Sequence, residues 1–313
     1  MTTVAAAGEV AERHWKAPFP VSVRGILSVH RRGHGDPAFM TDEAGAIWRA
    51  CRTPAGPGTI RISATRDPAA TSVHATAWGP GAAWLLAALP GWLGAGDRPE
   101  DFVPAHAVLA ATARRHPEFR IGRTGLVMEA LVPAVLEQKV VGMEATRAWR
   151  FLLRRYGEAA PGPAPAGLRV PPDPATWAGI PSWEWHRAGV EAVRARTIAA
   201  AARVAGRLEE IVTLGADQAD RRLRSLPGIG AWTSAEVRQR ACGDPDAVSV
   251  GDYHLPAIVG WALAGRAVDD AGMLDLLASY AGQRHRASML AGLTGTRPPR
   301  RGPRVSVRDY RAI

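Results

Sequence analysis

The stretch from Leu226 to Leu255, LPGIGAWTSAEVRQRACGDPDAVSVGDYHL, decides the reading of this chain. It opens on Leu226-Pro227-Gly228-Ile229-Gly230 and closes on an acid, Asp252, in the setting Val250-Gly251-Asp252-Tyr253-His254. Two glycines around one apolar residue allow a tight turn and a close approach of backbone to a partner. Amides at the start of the following helix can face a phosphate. Residues 219–225 before the turn and 232–241 after it both read as helix, so the unit is helix, glycine turn, helix. The acid follows 24 residues after Gly228. An anion beside a phosphate-facing turn is unfavourable and needs a chemical reason. The residues alone leave plainer readings open. PGIG also serves as simple turn chemistry between two helices, and an acid before a helix start also serves as a cap.

The rest of the chain fits a polyanionic partner. At 313 residues it is long enough for two or three packed units, and its 47% hydrophobic share fits a soluble globular protein. The formal net charge is +10 and the pI about 10.7. Lysine occurs only at Lys16 and Lys139, so nearly all the positive charge is arginine, which grips phosphate through a planar fork. Coding bias toward arginine accounts for the same charge. The two cysteines, Cys51 and Cys242, lie far apart and exclude a four-cysteine iron–sulfur or zinc site. No histidine spacing suggests a metal, and no GxxxxGKS phosphate loop is present. The first residues carry Glu9 and Glu12 and lack the apolar core of a signal peptide, and no apolar run is long enough for a membrane span. The expected location is the cytoplasm, associated with the nucleoid.

Alternation of apolar and polar residues predicts strands over 21–27, 46–51, 59–65 and 73–78, with the Pro54-Ala55-Gly56-Pro57-Gly58 cluster between two of them. Helix is expected from about Gly81 and dominates from Asp101. A long helical pattern covers Thr124 to Tyr156, broken near Val140-Val141-Gly142. Residues 157–175 are too rich in proline for helix and form a connecting loop, after which helices run from about Ser182 to Leu293. The expected fold class is α+β: an N-terminal antiparallel β domain, then a mainly helical core of two subdomains with a cleft between them.

The glycine hairpin, the aspartate, the apolar helix Leu131–Val140 and the strand-rich start, including Arg31-Arg32-Gly33-His34-Gly35-Asp36-Pro37, together carry a family likeness. On these residues the chain resembles the helix-hairpin-helix DNA glycosylase superfamily, and within it the AlkA-like, type II DNA-3-methyladenine glycosylases. The resemblance covers about residues 15 to 293. It implies an N-terminal extension over 1–14, a β-rich domain over 15–100, a glycosylase core over 101–293 and a basic tail over 294–313. Within the core it places the hairpin at 219–241 and the catalytic loop at 244–254.

The resemblance also implies roles. Asp252 becomes the catalytic acid residue, stabilising positive charge on a sugar as its base departs. Trp232, Glu236 and His285 fall at the base pocket. Leu226, Gly228, Ile229, Gly230 and Thr233 contact the DNA backbone, and a Na+ or K+ ion belongs at the carbonyls of Leu226 and Ile229. Gln138 and Lys139 fall at the wedge that fills the gap left by a flipped base. No organic cofactor and no catalytic metal are expected. The partner is double-stranded DNA with a damaged base, no membrane is involved, and the protein acts as a monomer.

Three departures from the family pattern matter. Trp232 stands where bifunctional relatives carry a Schiff-base lysine, so a monofunctional enzyme is expected that leaves an abasic site. Lys139 is an unusual wedge and also fits a plain surface lysine. His285 and Glu236 replace aromatic pocket residues and put the range of bases in doubt; Trp232 itself also fits packing between the hairpin helices. The expected function is base-excision repair of cationic alkylated purines such as 3-methyladenine. The alternatives are a non-catalytic module that binds damaged DNA, or a glycosylase for hypoxanthine, uracil or an oxidised purine.

Overall fold

The computed structural model describes residues 2–3, 10–67 and 70–296. The N-terminal part is an antiparallel sheet of β1 (Thr2–Thr3), β2 (Ala11–Ala17), β3 (Phe39–Thr41), β4 (Ile47–Thr53), β5 (Gly56–Asp67) and β6 (Ala70–Trp78). Their spatial order is β1-β2-β6-β5-β4-β3. A two-residue turn joins β4 to β5, with Gly56 at φ +114° where a side chain would be strained. In β2, exposed Glu12, His14 and Lys16 alternate with residues turned toward the core. Residues 11–14, expected in an N-terminal extension, therefore belong to the sheet.

The strand expected over 21–27 is instead helix α1 (Val23–Leu27). Ser22 caps it, its hydroxyl accepting from the Gly25 N–H at 3.1 Å. Val23, Ile26 and Leu27 fall on one face of this short helix and are buried. A short 3-10 turn, Ser28–His30, follows. Helix α2 (Ala82–Trp92) covers the sheet with fully buried Leu85, Leu86, Leu89 and Trp92. Each such side chain contributes about 1.5–3 kcal/mol of burial.

Two helical cores follow. Helices α3 (Ala107–Arg115), α4 (Val127–Leu136) and α5 (Gly142–Tyr156) come first; the break between the last two falls where the sequence predicts it. The proline-rich connection holds a small ribbon, β7 (Glu158–Ala159) with β8 (Arg169–Val170). Then come α6 (Pro174–Gly179), α7 (Ser182–Arg187), α8 (Ala192–Arg203), α9 (Ala205–Glu209), α10 (Ala216–Arg224) and α11 (Ala231–Val237). The last three are α12 (Leu255–Ala264), α13 (Asp270–Leu277) and α14 (Arg284–Leu293). One core packs α4 to α11 around Leu131, Val135, Trp149, Ile198 and Leu223. The other packs α3 against α12 to α14 around Leu109, Val259, Met273 and Leu290. The chain thus leaves the second unit after α3 and returns to it after the hairpin.

Buried polar pairs fix these units to one another. Asp36 accepts from the Trp149 indole at 2.8 Å, and Glu129 on α4 accepts from Arg49 at 3.2 Å and from the Arg52 amide at 2.6 Å. Burial pushes the Glu129 carboxyl up to about 7. Helix α4 has no side-chain cap of its own; Glu209 supplies one from α9, accepting from the amides of Val127 and Met128. No helix among the described residues is long and apolar enough to cross a membrane. The basic tail from residue 297 onward lies outside the described residues.

Candidate active site

The hairpin runs from α10 through Ser225–Gly230 into α11, then into a π-helical turn, Arg238–Cys242, that ends at left-handed Gly243. Gly228 has φ +88°, and a Cβ there would lie 2.1 Å from Thr197 Oγ1. Only glycine fits that position, because α8 presses Thr197 against the turn and its hydroxyl donates to the Pro227 carbonyl at 3.3 Å. Gly228 and Gly230 are exposed, Ile229 is buried and Leu226 half-buried. The Leu226 carbonyl accepts from the Ile229 N–H at 3.1 Å, closing the turn. Thr233 is buried, so its side chain braces the turn from inside.

Gln138 joins the α4–α5 connection to this hairpin. Its amide donates to the Gly228 carbonyl at 2.9 Å and to Thr233 Oγ1 at 2.8 Å. Lys139 beside it is exposed and has φ +55°, the only non-glycine residue among those described with a positive φ. Such a conformation costs about 1–2 kcal/mol, held here at the tip of the α4–α5 connection. Gln138 is therefore occupied with positioning, while Lys139 stands free of the turn.

Asp252 follows Gly251 (φ +88°) at the end of the loop from Gly243. Its Oδ1 accepts from the amides of His254 at 2.8 Å and Leu255 at 2.9 Å, capping α12. Its Oδ2 accepts from the Trp232 indole N–H at 3.0 Å. The acid is thus a cap, and it also lines a cavity. Three charge-assisted bonds fix its orientation.

That cavity, about 540 Å³, lies where the β unit and both helical cores meet. The volume falls within the range of about 300–1,000 Å³ usual for small-molecule sites. Asp252, Glu236, His285, His30, Phe119 and Arg240 all line it. Glu236 is held on both oxygens, by Arg240 at 2.7 Å and by the Ser249 hydroxyl at 2.6 Å. Gln239 donates in turn to Ser249 at 3.0 Å, and Arg240 reaches the Val29 carbonyl at 3.3 Å, tying the π-helical turn after α11 to the 3-10 turn of the β unit. Burial pulls the His285 imidazole down to about 3, with Arg240 and Arg286 adding to the effect. Burial, then Arg49, Arg240 and Arg32, lowers His30 well below its ordinary value. Both rings are neutral at physiological pH.

Of the residues singled out from sequence, the structure gathers Asp252, Glu236 and His285 in this cavity. Trp232 does not line it; it stands behind Asp252 as hydrogen-bond donor. His30, Phe119 and Arg240 also line it without having been singled out, as do Glu118, Arg120 and His116. Neither lysine lines the cavity. Burial raises both thiols, Cys51 well above the usual range and Cys242 to about 11, which leaves them poor nucleophiles.

No protein-family model matches the sequence, and no curated protein matches it. Solved structures do match its fold. A 3-methyladenine DNA glycosylase from Archaeoglobus fulgidus superposes with a TM-score of 0.72 over 90% of this chain and 97% of its own, at 16% identity. The 8-oxoguanine glycosylase/lyase of Clostridium acetobutylicum in its apo form gives 0.66 over 94% and 98%, at 10% identity. The same enzyme bound to double-stranded DNA with cytosine opposite 8-oxoG gives 0.66 over 94% and 96%. The chain has the fold of the helix-hairpin-helix DNA glycosylases. In this glycosylase fold the exposed glycine turn and the acid of the cavity come from one continuous stretch, and the Trp232–Asp252 bond joins its two ends.

Proposed function

We propose that the chain is a monofunctional DNA glycosylase that removes cationic alkylated purines such as 3-methyladenine and leaves an abasic site. The observation that carries this reading is Asp252: a carboxylate fixed by three donors at the wall of a base-sized cavity, next to an exposed glycine turn. The target base is out of reach inside a duplex, so the nucleotide turns out into the cavity. Cleavage of its N-glycosidic bond develops positive charge on the deoxyribose. A fixed carboxylate stabilises that charge and orients water for attack at the anomeric carbon. The displaced purine leaves with the bonding electron pair, which an existing positive charge on the ring favours.

The cavity's chemistry supports a cationic base on electrostatic grounds. It is lined by three carboxylates, Asp252, Glu236 and Glu118, against two arginines, Arg240 and Arg120, and the imidazoles of His30 and His285 are uncharged. Phe119 offers an aromatic face, while no tryptophan or tyrosine lines the cavity. Charge complementarity carries the preference more than stacking does. The absence of a lysine from the lining supports hydrolysis without a Schiff base. Amides of the exposed turn suit sequence-independent contacts to phosphate. The Leu226 carbonyl keeps one lone pair beyond its bond to Ile229, so it and the Ile229 carbonyl suit a Na+ or K+ ion that would add positive charge beside that phosphate. Lys139 takes the wedge position in this reading, its aliphatic stem in the gap and its ammonium near phosphate.

A second reading, removal of a neutral damaged base, draws on the hydrogen-bonding wall of Gln239, Ser249 and Glu236. Duplexes each carrying one lesion, 3-methyladenine, hypoxanthine, uracil or 8-oxoguanine, separate the two. Abasic sites on the 3-methyladenine duplex without strand cutting are the expected result. Release of a neutral base alone favours the second reading, and tight binding with no base released leaves a non-catalytic module.

A further inference from the structure

A second cluster of chemistry-bearing side chains lies on the outer surface of the sheet. The two-residue period of β2 puts Glu12 and His14 on one face, both exposed. The β2–β6 register sets His74 directly opposite His14, and Glu12 opposite Thr76. The two imidazoles stack with centroids 4.3 Å apart and planes 23° from parallel. Glu12 Oε2 stands 3.7 Å from His74 Nε2. One ligand atom from each of the three residues falls within 4.8 Å of the other two.

One atom in the cluster points to a ligand. His74 Nε2 is shielded from solvent and has no hydrogen-bond partner among the described residues. A buried polar atom left this way is destabilising until something binds it. Glu12 Oε2, 3.7 Å away, is beyond hydrogen-bond reach, whereas a metal ion would take the lone pair of the imidazole. The backbone that presents the donors is rigid, because β2 is paired along its whole length with β6. Closing the donors onto an ion therefore needs side-chain rotation alone.

We propose that Glu12, His14 and His74 form a divalent transition-metal site. Two imidazole nitrogens and one carboxylate oxygen suit Zn2+, and Ni2+ or Cu2+ by the same donor preference, over Mg2+ or Ca2+. Three protein ligands leave a coordination position for water. None of the three residues lines the cavity that holds Asp252, so the ion is not part of base excision. It clips β2 to β6 and stabilises the start of the sheet.

Calorimetric titration of the chelator-treated full chain with ZnCl2 tests this. One equivalent should bind, and the melting temperature should rise as it does. His14→Ala and His74→Ala should each weaken zinc binding by more than about 100-fold, beyond what loss of an outer hydrogen-bond partner costs, and Glu12→Gln should weaken it less. The metal-free variants should melt close to the metal-free parent, which separates ligand loss from misfolding. Co2+ in place of Zn2+ should give visible absorption that vanishes in His74→Ala. Base excision should be the same with and without zinc. No saturation below roughly 1 mM zinc, or stoichiometric binding untouched by both histidine variants, overturns the proposal.

Discussion

The Trp232 indole N–H donates to Asp252 Oδ2 at 3.0 Å, across twenty residues of sequence. The bond fixes the carboxylate oxygen not used in capping α12. It turns a tryptophan of the hairpin into a positioning residue for the cavity's acid. Trp232→Phe keeps a ring in place and removes only this donor. A hydrogen bond to a charged group is worth about 1.5–3 kcal/mol, so single-turnover excision should fall about tenfold or more while DNA affinity is kept. Unchanged turnover in Trp232→Phe would show that the bond does not position the acid.

Gly228 and Gly251 share a φ of +88° but differ in surroundings. A Cβ on Gly228 meets Thr197 Oγ1 at 2.1 Å, and one on Gly251 meets nothing within 4 Å. Gly251→Ala should cost about 1–2 kcal/mol from backbone strain alone. Gly228→Ala should cost a further 1–3 kcal/mol or so from overpacking, and should also weaken DNA binding. Urea unfolding of the two variants measures the difference; equal losses would mean that the turn is not clamped by α8.

His285 gives the fold a pH dependence. In the unfolded chain its imidazole takes up a proton near pH 6.5, and in the folded protein only near pH 3. Between those values the unfolded state binds more protons, so stability is complete above about pH 6.5 and declines as pH falls toward 3. His30 acts in the same direction. His285→Asn should flatten the slope of unfolding free energy against pH between about 4.5 and 6.5. Parallel slopes in parent and variant would contradict a neutral buried imidazole.

Glu236 tests the electrostatic preference. Glu236→Gln removes one negative charge and keeps an oxygen for Ser249. If the protein excises bases as proposed, excision of 3-methyladenine should fall about tenfold more than excision of any neutral base it removes, a difference of about 1.4 kcal/mol at the transition state. An equal fall for both classes would assign Glu236 to wall geometry instead.

Much of the architecture was legible because its signals are local. Gly228 announces a turn that no other residue tolerates, and Gly251-Asp252 announces a loop end and a helix start. Residues 21–27 misled because a five-residue helix offers too little pattern to separate its period from that of a strand. Strand β2 was hidden by composition: Glu12, His14 and Lys16 make its outer face fully polar, and only small Ala11 and Ala17 are fully buried. In the site, Asp252, Glu236 and His285 were readable from the hairpin's spacing and the family likeness. His30, Phe119 and Arg240 were not, because they reach the cavity from three separate elements and nothing nearby in sequence marks them. The role of Trp232 as donor to the acid is likewise a long-range relation.

The central claim is that Asp252 carries the chemistry and the glycine turn carries the binding. Asp252→Asn keeps a carbonyl oxygen for the amides of His254 and Leu255, so α12 stays capped, while its NH2 replaces the oxygen that accepts from Trp232. The direct measurement is single-turnover release of 3-methyladenine by this variant, with DNA affinity measured alongside. The account expects excision to fall by about 10²–10³-fold with affinity within a few-fold of the parent. Near-parental excision by Asp252→Asn would contradict it.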